Sequence, residues 1–208
     1  MTRLAQLRAL SPADVLTCLI KKARYRGLAH RFGFDPWHAR SPFECRAYKR
    51  EVVRLADRLR PQATIEVGCG LGEIVSRVAS GQRFGFDIDA AVVPAASHLH
   101  GDRCRFGVAG IADMGTIRAA VDRPEGADVL IMVNWAHALP WPELADDVRR
   151  LAAALSIRYL IMDTIAPGVA GYAHHHTQEA LAELGPVVES IASADGVRRL
   201  HVVALAKS

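Results

Sequence analysis

Between residues 65 and 73 the chain reads Ile65-Glu66-Val67-Gly68-Cys69-Gly70-Leu71-Gly72-Glu73, and Asp87 follows 19 residues after Gly68. Glycines in such a loop let the backbone turn tightly and approach a ligand with no Cβ in the way. A helix opening directly after them presents free N–H groups at its N-terminus. An acidic side chain at the end of the next strand can accept hydrogen bonds from both hydroxyls of a ribose. A second set of residues is suited to moving protons: His137 in Asn134-Trp135-Ala136-His137, Asp163, and Tyr172 ahead of His174-His175-His176. An imidazole with its ordinary pKa near roughly 6.5 can act as a base at neutral pH. A surface or helix-capping role for His137 is the plainer alternative. In an extended loop His174 and His176 share one side and, with Asp163, could make a metal site. No conventional zinc spacing is present, so we assign no metal and expect a second base or a substrate hydrogen bond from this loop.

These residues need a scaffold, and the hydrophobic pattern supplies one. Residues 63–67, 83–87, 104–108, 129–133, 159–162, 187–191 and 200–205 read as strands. Helices are predicted over 73–79, 90–99, 142–155 and 178–184. Repeated strand–helix units imply a parallel sheet covered on both faces. The last two strands have no helix between them, only a segment with the turn signal Asp195-Gly196, so they should form an antiparallel hairpin. The expected fold is α/β: a mainly parallel seven-stranded sheet flanked by helices, closed by a C-terminal antiparallel hairpin. Ahead of it, residues 1–60 form a helical extension, and residues 61–208 form the ligand-binding domain. The extension holds a helix over 11–31, with Ser11 as cap and an apolar stripe of Val15, Leu16, Leu19, Ile20 and Ala23 that could lie on a membrane surface but is expected to dock on the main domain. A second helix, 45–59, carries Tyr48, Val52, Leu55 and Leu59 at helical spacing.

Composition sets the outer bounds. The chain has 208 residues, 50% hydrophobic and 23% charged, enough for a substantial core and incompatible with wholesale disorder. No run of roughly 18 apolar residues suggests a membrane span. Arg3, Arg8 and Asp14 interrupt the N-terminus before a signal peptide could form, which makes a cytoplasmic protein the default. The four cysteines, Cys18, Cys45, Cys69 and Cys104, are single and widely spaced, so reduced thiols are expected. Charge divides unevenly. Residues 1–60 hold 14 Lys or Arg against 5 Asp or Glu, while residues 61–208 hold 12 against 17. A basic segment on an acidic body suits either an anionic partner or simple docking.

The loop, Asp87 and the terminal hairpin together resemble class I, Rossmann-like S-adenosylmethionine-dependent methyltransferases, whose loop reads E/D-x-G-x-G-x-G. The resemblance covers element order over about residues 45 to 206. A dinucleotide site would want a glycine at position 73, where this chain has Glu73. The resemblance implies S-adenosylmethionine as cofactor and S-adenosylhomocysteine as product. It implies that Glu66 orders the loop, that Gly68, Cys69, Gly70 and Gly72 pack on the cofactor, and that Asp87 holds the ribose with Ile88 beside it. Glu66 would also face the methionine end, Asn134 would contact the cofactor from a loop beside the methyl group, and Asp128 would be structural. At the adenine position many members carry an acid; this chain has Gly110 and Ile111, with Asp113 following.

Methyl transfer is an in-line displacement, so the protein chiefly aligns the reacting atoms, with a base to help a hydroxyl acceptor. We expect O-methylation of a small molecule, a sugar or glycan unit or a secondary metabolite, with His137 as base and Asp163 and His174 as its catalytic companions. Trp37, His38, Tyr48, Trp135, Tyr172 and His176 are the expected substrate contacts. Asn134 resembles the start of the D/N-P-P-Y/F motif of amino-directed enzymes, but Trp135 and Ala136 replace both prolines, which argues against nucleic acid. N-methylation of a small molecule or nucleic acid, and a non-catalytic binding module, are the alternatives.

Overall fold

A computed structural model describes residues 11–40 and 42–206. Arg3 and Arg8, which entered the signal-peptide reading, lie outside the described residues. Helix α1 (Pro12–Phe32) begins where Ser11 Oγ accepts the Asp14 N–H at 3.1 Å, with Pro12 in the first turn. It ends at Gly33, whose φ of 78° lets its N–H return to Ala29.

The buried face of α1 is Cys18, Tyr25, Leu28 and Ala29, offset from the stripe expected to dock. Leu16, Leu19 and Ile20 are instead 60%, 59% and 60% exposed. Two specific tethers choose the face over hydrophobicity. Tyr25 reaches Glu73, and Cys18 forms a disulfide with Cys45 across a Cα–Cα distance of 5.8 Å. This disulfide corrects the expectation of four reduced thiols; Cys69 and Cys104 are free and buried. The pairing had no spacing signal because it arises only when α1 packs on the 3-10 turn Phe43–Cys45. Disulfides persist mainly in oxidising compartments, so the cytoplasmic expectation loses its thiol support. No helix among the described residues is long and apolar enough to cross a membrane.

Helix α2 (Ala47–Arg58) lays Tyr48, Val52, Leu55 and Ala56 on one face of the sheet. The sheet then builds through β1 (Ala63–Val67), β2 (Gln82–Asp87), α3 (Val92–His100), β3 (Arg105–Val108), α4 (Met114–Val121), β4 (Val129–Met132), α5 (Trp141–Leu155) and β5 (Tyr159–Ile165). A short α6 (Gln178–Ala182) leads to the hairpin β6 (Val187–Ala192) and β7 (Arg198–Ala204). Strand order is β3-β2-β1-β4-β5-β7-β6, with β1 to β5 parallel and β7 antiparallel to both neighbours. All five residues of β1 and all four of β4 are buried, as strands covered on both faces must be. Alternate residues serve opposite faces: Leu130 and Met132 join α4 and α5, whereas Val129 and Ile131 join α2.

Three elements differ from the sequence reading. The helix expected over 73–79 is only a 3-10 turn, Val75–Arg77. Side chains take the N–H groups a longer helix would use: Glu66 accepts Val75 at 2.9 Å and Asp57 accepts Ala79 at 2.7 Å. Helix α4 was not anticipated; only Ile117 and Val121 carry its buried face. Strand β5 runs three residues past its expected end because β7 pairs with it through Ile165 opposite Arg198.

Candidate functional site

The glycine loop leaves the C-terminal end of β1 with Gly68, Gly70 and Gly72 at φ of 71°, 50° and 70°, conformations that side chains resist. Asp87, at the end of β2, locks it. One carboxylate oxygen accepts the Gly70 N–H at 2.7 Å and the other the Asp89 N–H at 3.0 Å. A carboxylate has about four lone-pair sites, so each oxygen retains capacity for a ligand hydroxyl. Ile88 follows with its side chain 78% exposed.

The three glycines do different things. A Cβ on Gly72 would stand 2.5 Å from the Phe106 ring, so Gly72 lets β3 approach and packs against protein, not against a ligand. A Cβ on Gly68 would meet the indole of Trp135 at 2.2 Å, and one on Gly70 the imidazole of His38 at 3.0 Å. Two side chains therefore already rest on the loop. Cys69 is buried beside Gly85, and burial pushes its thiol well above the usual range.

In front of the loop opens a cavity of about 950 Å³. Its walls come from α1, the segment 36–49, the loop, and the strand ends carrying Asn134, Trp135, Tyr172 and Arg198. Trp37, His38 and Tyr48 line it; Trp37 stacks on His38 with ring centres 4.3 Å apart. Burial, against the pull of Asp87, Asp89 and Asp35, lowers the His38 pKa, so its imidazole is neutral at pH 7.

Behind the loop sits a polar clamp that sequence reasoning missed. Glu73 is 3% exposed and accepts hydrogen bonds from Tyr25 Oη at 2.7 Å, Phe43 N–H at 3.0 Å and Lys49 Nζ at 2.8 Å. Burial would raise the Glu73 carboxyl; the Lys49 charge and these hydrogen bonds outweigh it and hold it below the usual carboxylate range. The clamp joins α1, the 3-10 turn and α2 to the end of the glycine loop. Its only sequence signal was an acid where a dinucleotide loop has glycine. For Glu66, also in the cavity wall, burial outweighs the Val75 N–H and the Lys49 charge and pushes its pKa up to about 8.

A second polar centre lies at the ends of β4, β5 and β7. Asp163, fully buried, accepts the Asn134 N–H at 2.9 Å and Arg198 Nη1 at 2.7 Å. Burial raises its carboxyl, but His137 and the Arg198 charge together bring it below the usual range. Arg198 also donates to Asp195 and lies 4.1 Å over the Tyr48 ring. Asn134 holds a φ of 75°, and its side-chain oxygen faces Tyr172 Oη and Arg198 Nη2, each at 3.4 Å. Arg198 and Asp195 went unnoticed because they fall in the hairpin that read only as a turn.

This arrangement revises the expected base. His137 is 1% exposed, lies outside the cavity wall, and places Nε2 3.4 Å from Asp163 Oδ1. It is packed between Tyr172 and His176, whose rings lie 5.3 Å and 5.2 Å away. His176 is buried, its Nε2 3.2 Å from the Ala136 carbonyl, and His174 donates its main-chain N–H to His137 O at 3.0 Å. Neither lines the cavity. Asp163 turns to Arg198 and Asn134, and among the described residues no group of three His, Cys, Asp or Glu is placed to hold a metal. Ile111 belongs to the main core at 4% exposure, not to an adenine surface. Gly110 instead donates its N–H to Asp113 at 2.8 Å. Asp128 ties the strand bottoms together, accepting from Gln62, Ala63 and Arg158.

No family model and no curated protein sequence matches the chain. Solved structures do. Magnesium protoporphyrin IX methyltransferase from Synechocystis PCC 6803, with bound S-adenosylhomocysteine, superimposes with a TM-score of 0.61 at 12% identity, covering 92% of this chain and 99% of that one. The N-methyltransferase NodS from Bradyrhizobium japonicum WM9, in complex with S-adenosylhomocysteine, gives 0.66 at 15% identity, over 88% and 98%. An O-methyltransferase family protein from Burkholderia thailandensis gives 0.63 at 16% identity, over 86% of this chain and 62% of that one. The likeness is one of fold.

Proposed function

We propose, on the premise of this class I, Rossmann-like methyltransferase fold, that the chain transfers a methyl group from S-adenosylmethionine to an oxygen of a small molecule. The observation that carries the reading is the Asp87 carboxylate gripping Gly70 N–H at the paired ends of β1 and β2. That grip presents an acid for ribose hydroxyls and exposed Ile88 for the base, beside a loop whose Gly68 and Gly70 carry no Cβ. Gly68, Cys69, Gly70, Asp87, Ile88 and Asn134 would hold the cofactor, with Glu66 ordering the loop from beneath. When bound, S-adenosylmethionine supplies an electrophilic methyl carbon.

The chain's own residues do the rest. The clamp at Glu73 fixes the N-terminal helical extension against the loop, which helps exclude water and orient the acceptor. His38 is the imidazole in the cavity wall, neutral and resting on Gly70, and it replaces His137 as proton acceptor for the attacking hydroxyl. His137 steadies Asp163, and Asp163 positions Asn134 and Arg198. Oxygen is favoured over nitrogen because the Asn134 carbonyl, which could accept from an amino group, already faces Arg198 and Tyr172.

The test is transfer of isotope-labelled methyl from S-adenosylmethionine into fractionated pools of small hydroxylated molecules, followed by mass spectrometry. A labelled O-methyl ether or ester is expected. Labelled N-methyl products alone would overturn the oxygen assignment, and no product from any pool would overturn the reaction.

A further inference from the structure

The cavity wall carries six Lys or Arg side chains and two acids, and neither acid offers charge to a ligand. Glu73 is consumed by Lys49, Tyr25 and the Phe43 N–H. Glu66 is buried, accepts the Val75 N–H, and retains its proton near neutrality. Arg198 is held by Asp163 and Asp195, and Lys49 by Glu73.

Lys22, Arg26 and Arg40 are different. They line the same cavity, and no ion pair holds any of them among the described residues. Lys22 and Arg26 are four residues apart on α1 and so share a face; Arg40 closes the 3-10 turn Pro36–Arg40 and lines the same cavity. Neighbouring cations are treated otherwise: Lys21 pairs with Glu44 at 2.5 Å, and Arg77 approaches the same carboxylate at 3.7 Å. A surface that merely needed charge for solubility would have no reason to gather unpaired cations around one cavity mouth.

We propose that Lys22, Arg26 and Arg40 form an anion subsite that takes a phosphate or diphosphate group of the acceptor. The assignment rests on the methyltransferase reading for the word acceptor, though the subsite can be tested without it. Guanidinium groups match phosphate oxygens in paired hydrogen bonds, and an ammonium adds a compact charge. A cavity of about 950 Å³ suits a small phosphorylated molecule held between this subsite and the glycine loop.

The experiment is calorimetric titration of inorganic pyrophosphate into the protein, with and without saturating S-adenosylhomocysteine. It compares wild type with the triple variant K22A/R26A/R40A. Among the described residues the three side chains make no ion pair whose loss would unfold the N-terminal extension, and circular dichroism checks this. Pyrophosphate should bind wild type with one-to-one stoichiometry, and the variant should lose about tenfold or more in affinity while binding S-adenosylhomocysteine within about threefold of wild type. Absent or unchanged pyrophosphate binding would overturn the subsite. Equal affinity for citrate would overturn the phosphate assignment, and a parallel loss of S-adenosylhomocysteine affinity would mean that the cations serve the cofactor. Should S-adenosylhomocysteine fail to bind wild type, the methyltransferase reading falls alone, and pyrophosphate binding to the free protein still reads the subsite.

Discussion

The indole N–H of Trp135 donates to the main-chain carbonyl of Val67 at 2.6 Å, laying the ring against Gly68. The contact joins the loop after β4 to the loop after β1, and it fills the space that Gly68 leaves open. Any ligand reaching Gly68 must first move this ring, so part of its binding free energy goes into displacing it.

Titration with S-adenosylhomocysteine should therefore change tryptophan emission, and Trp135→Phe should abolish most of that change. Trp135→Ala should bind the cofactor more tightly than wild type, by up to about tenfold, because the closed form loses its hydrogen bond. A weaker Trp135→Ala complex would show that the ring supports the cofactor and does not compete with it.

The two histidines should separate cleanly. His38→Gln should lower kcat by roughly 10²- to 10⁴-fold while leaving S-adenosylhomocysteine affinity near wild type. Because burial lowers the His38 pKa, the acid limb of the kcat/KM profile should fall below the ordinary histidine value and vanish in the variant. His137→Ala should act mainly through stability, since it empties a buried site beside Asp163. Full loss of turnover in a stable His137→Ala protein, with His38→Gln active, would restore the original assignment.

Glu73→Ala leaves Lys49, Tyr25 and the Phe43 N–H without their acceptor. Removing one partner of a buried ion pair costs about 3–5 kcal/mol, and chemical denaturation should read a loss of that order. Limited proteolysis should find the segment 34–46 newly accessible, because the clamp tethers it to the loop. Unchanged stability would contradict the clamp.

Glu66 makes the stability depend on pH in an unusual direction. Its folded pKa is raised to about 8, against an ordinary value of 4.5. Between these values the unfolded chain has released the proton while the folded chain keeps it, so this group's contribution to stability falls as pH rises from about 4.5 to 8. Glu66→Gln retains an acceptor for the Val75 N–H and removes the titration. Its gain over wild type should be small at pH 4.5 and grow to a few kcal/mol by about pH 8. A difference that does not change with pH would contradict a buried, protonated Glu66.

The mainly parallel sheet and the hairpin were legible because apolar runs and glycine turns report burial and chain reversal directly. The turns at Gly68 and Gly70 and the place of Asp87 at the end of β2 were legible because a glycine-rich run after an apolar strand admits few backbone geometries. His137 misled because a polar residue after a strand points to a site, whereas its burial depends on Tyr172 and His176, which arrive from a distant loop. Glu73, Arg198 and the Cys18–Cys45 bridge were invisible for the same reason. Each is defined by partners 24 to 48 residues away or across the sheet, and no local spacing encodes that. Leu16, Leu19 and Ile20 show the converse: a regular apolar stripe lost to the two tethers that rotate α1.

The most direct test of the account is calorimetric titration of S-adenosylhomocysteine into wild type and into Asp87→Ala. One-to-one binding is expected for wild type, weakened by about tenfold or more in Asp87→Ala, since the carboxylate grips Gly70 and is proposed to hold the ribose. No detectable binding of S-adenosylhomocysteine or S-adenosylmethionine to folded wild-type protein would contradict the assignment of the glycine loop as a methyl-donor site.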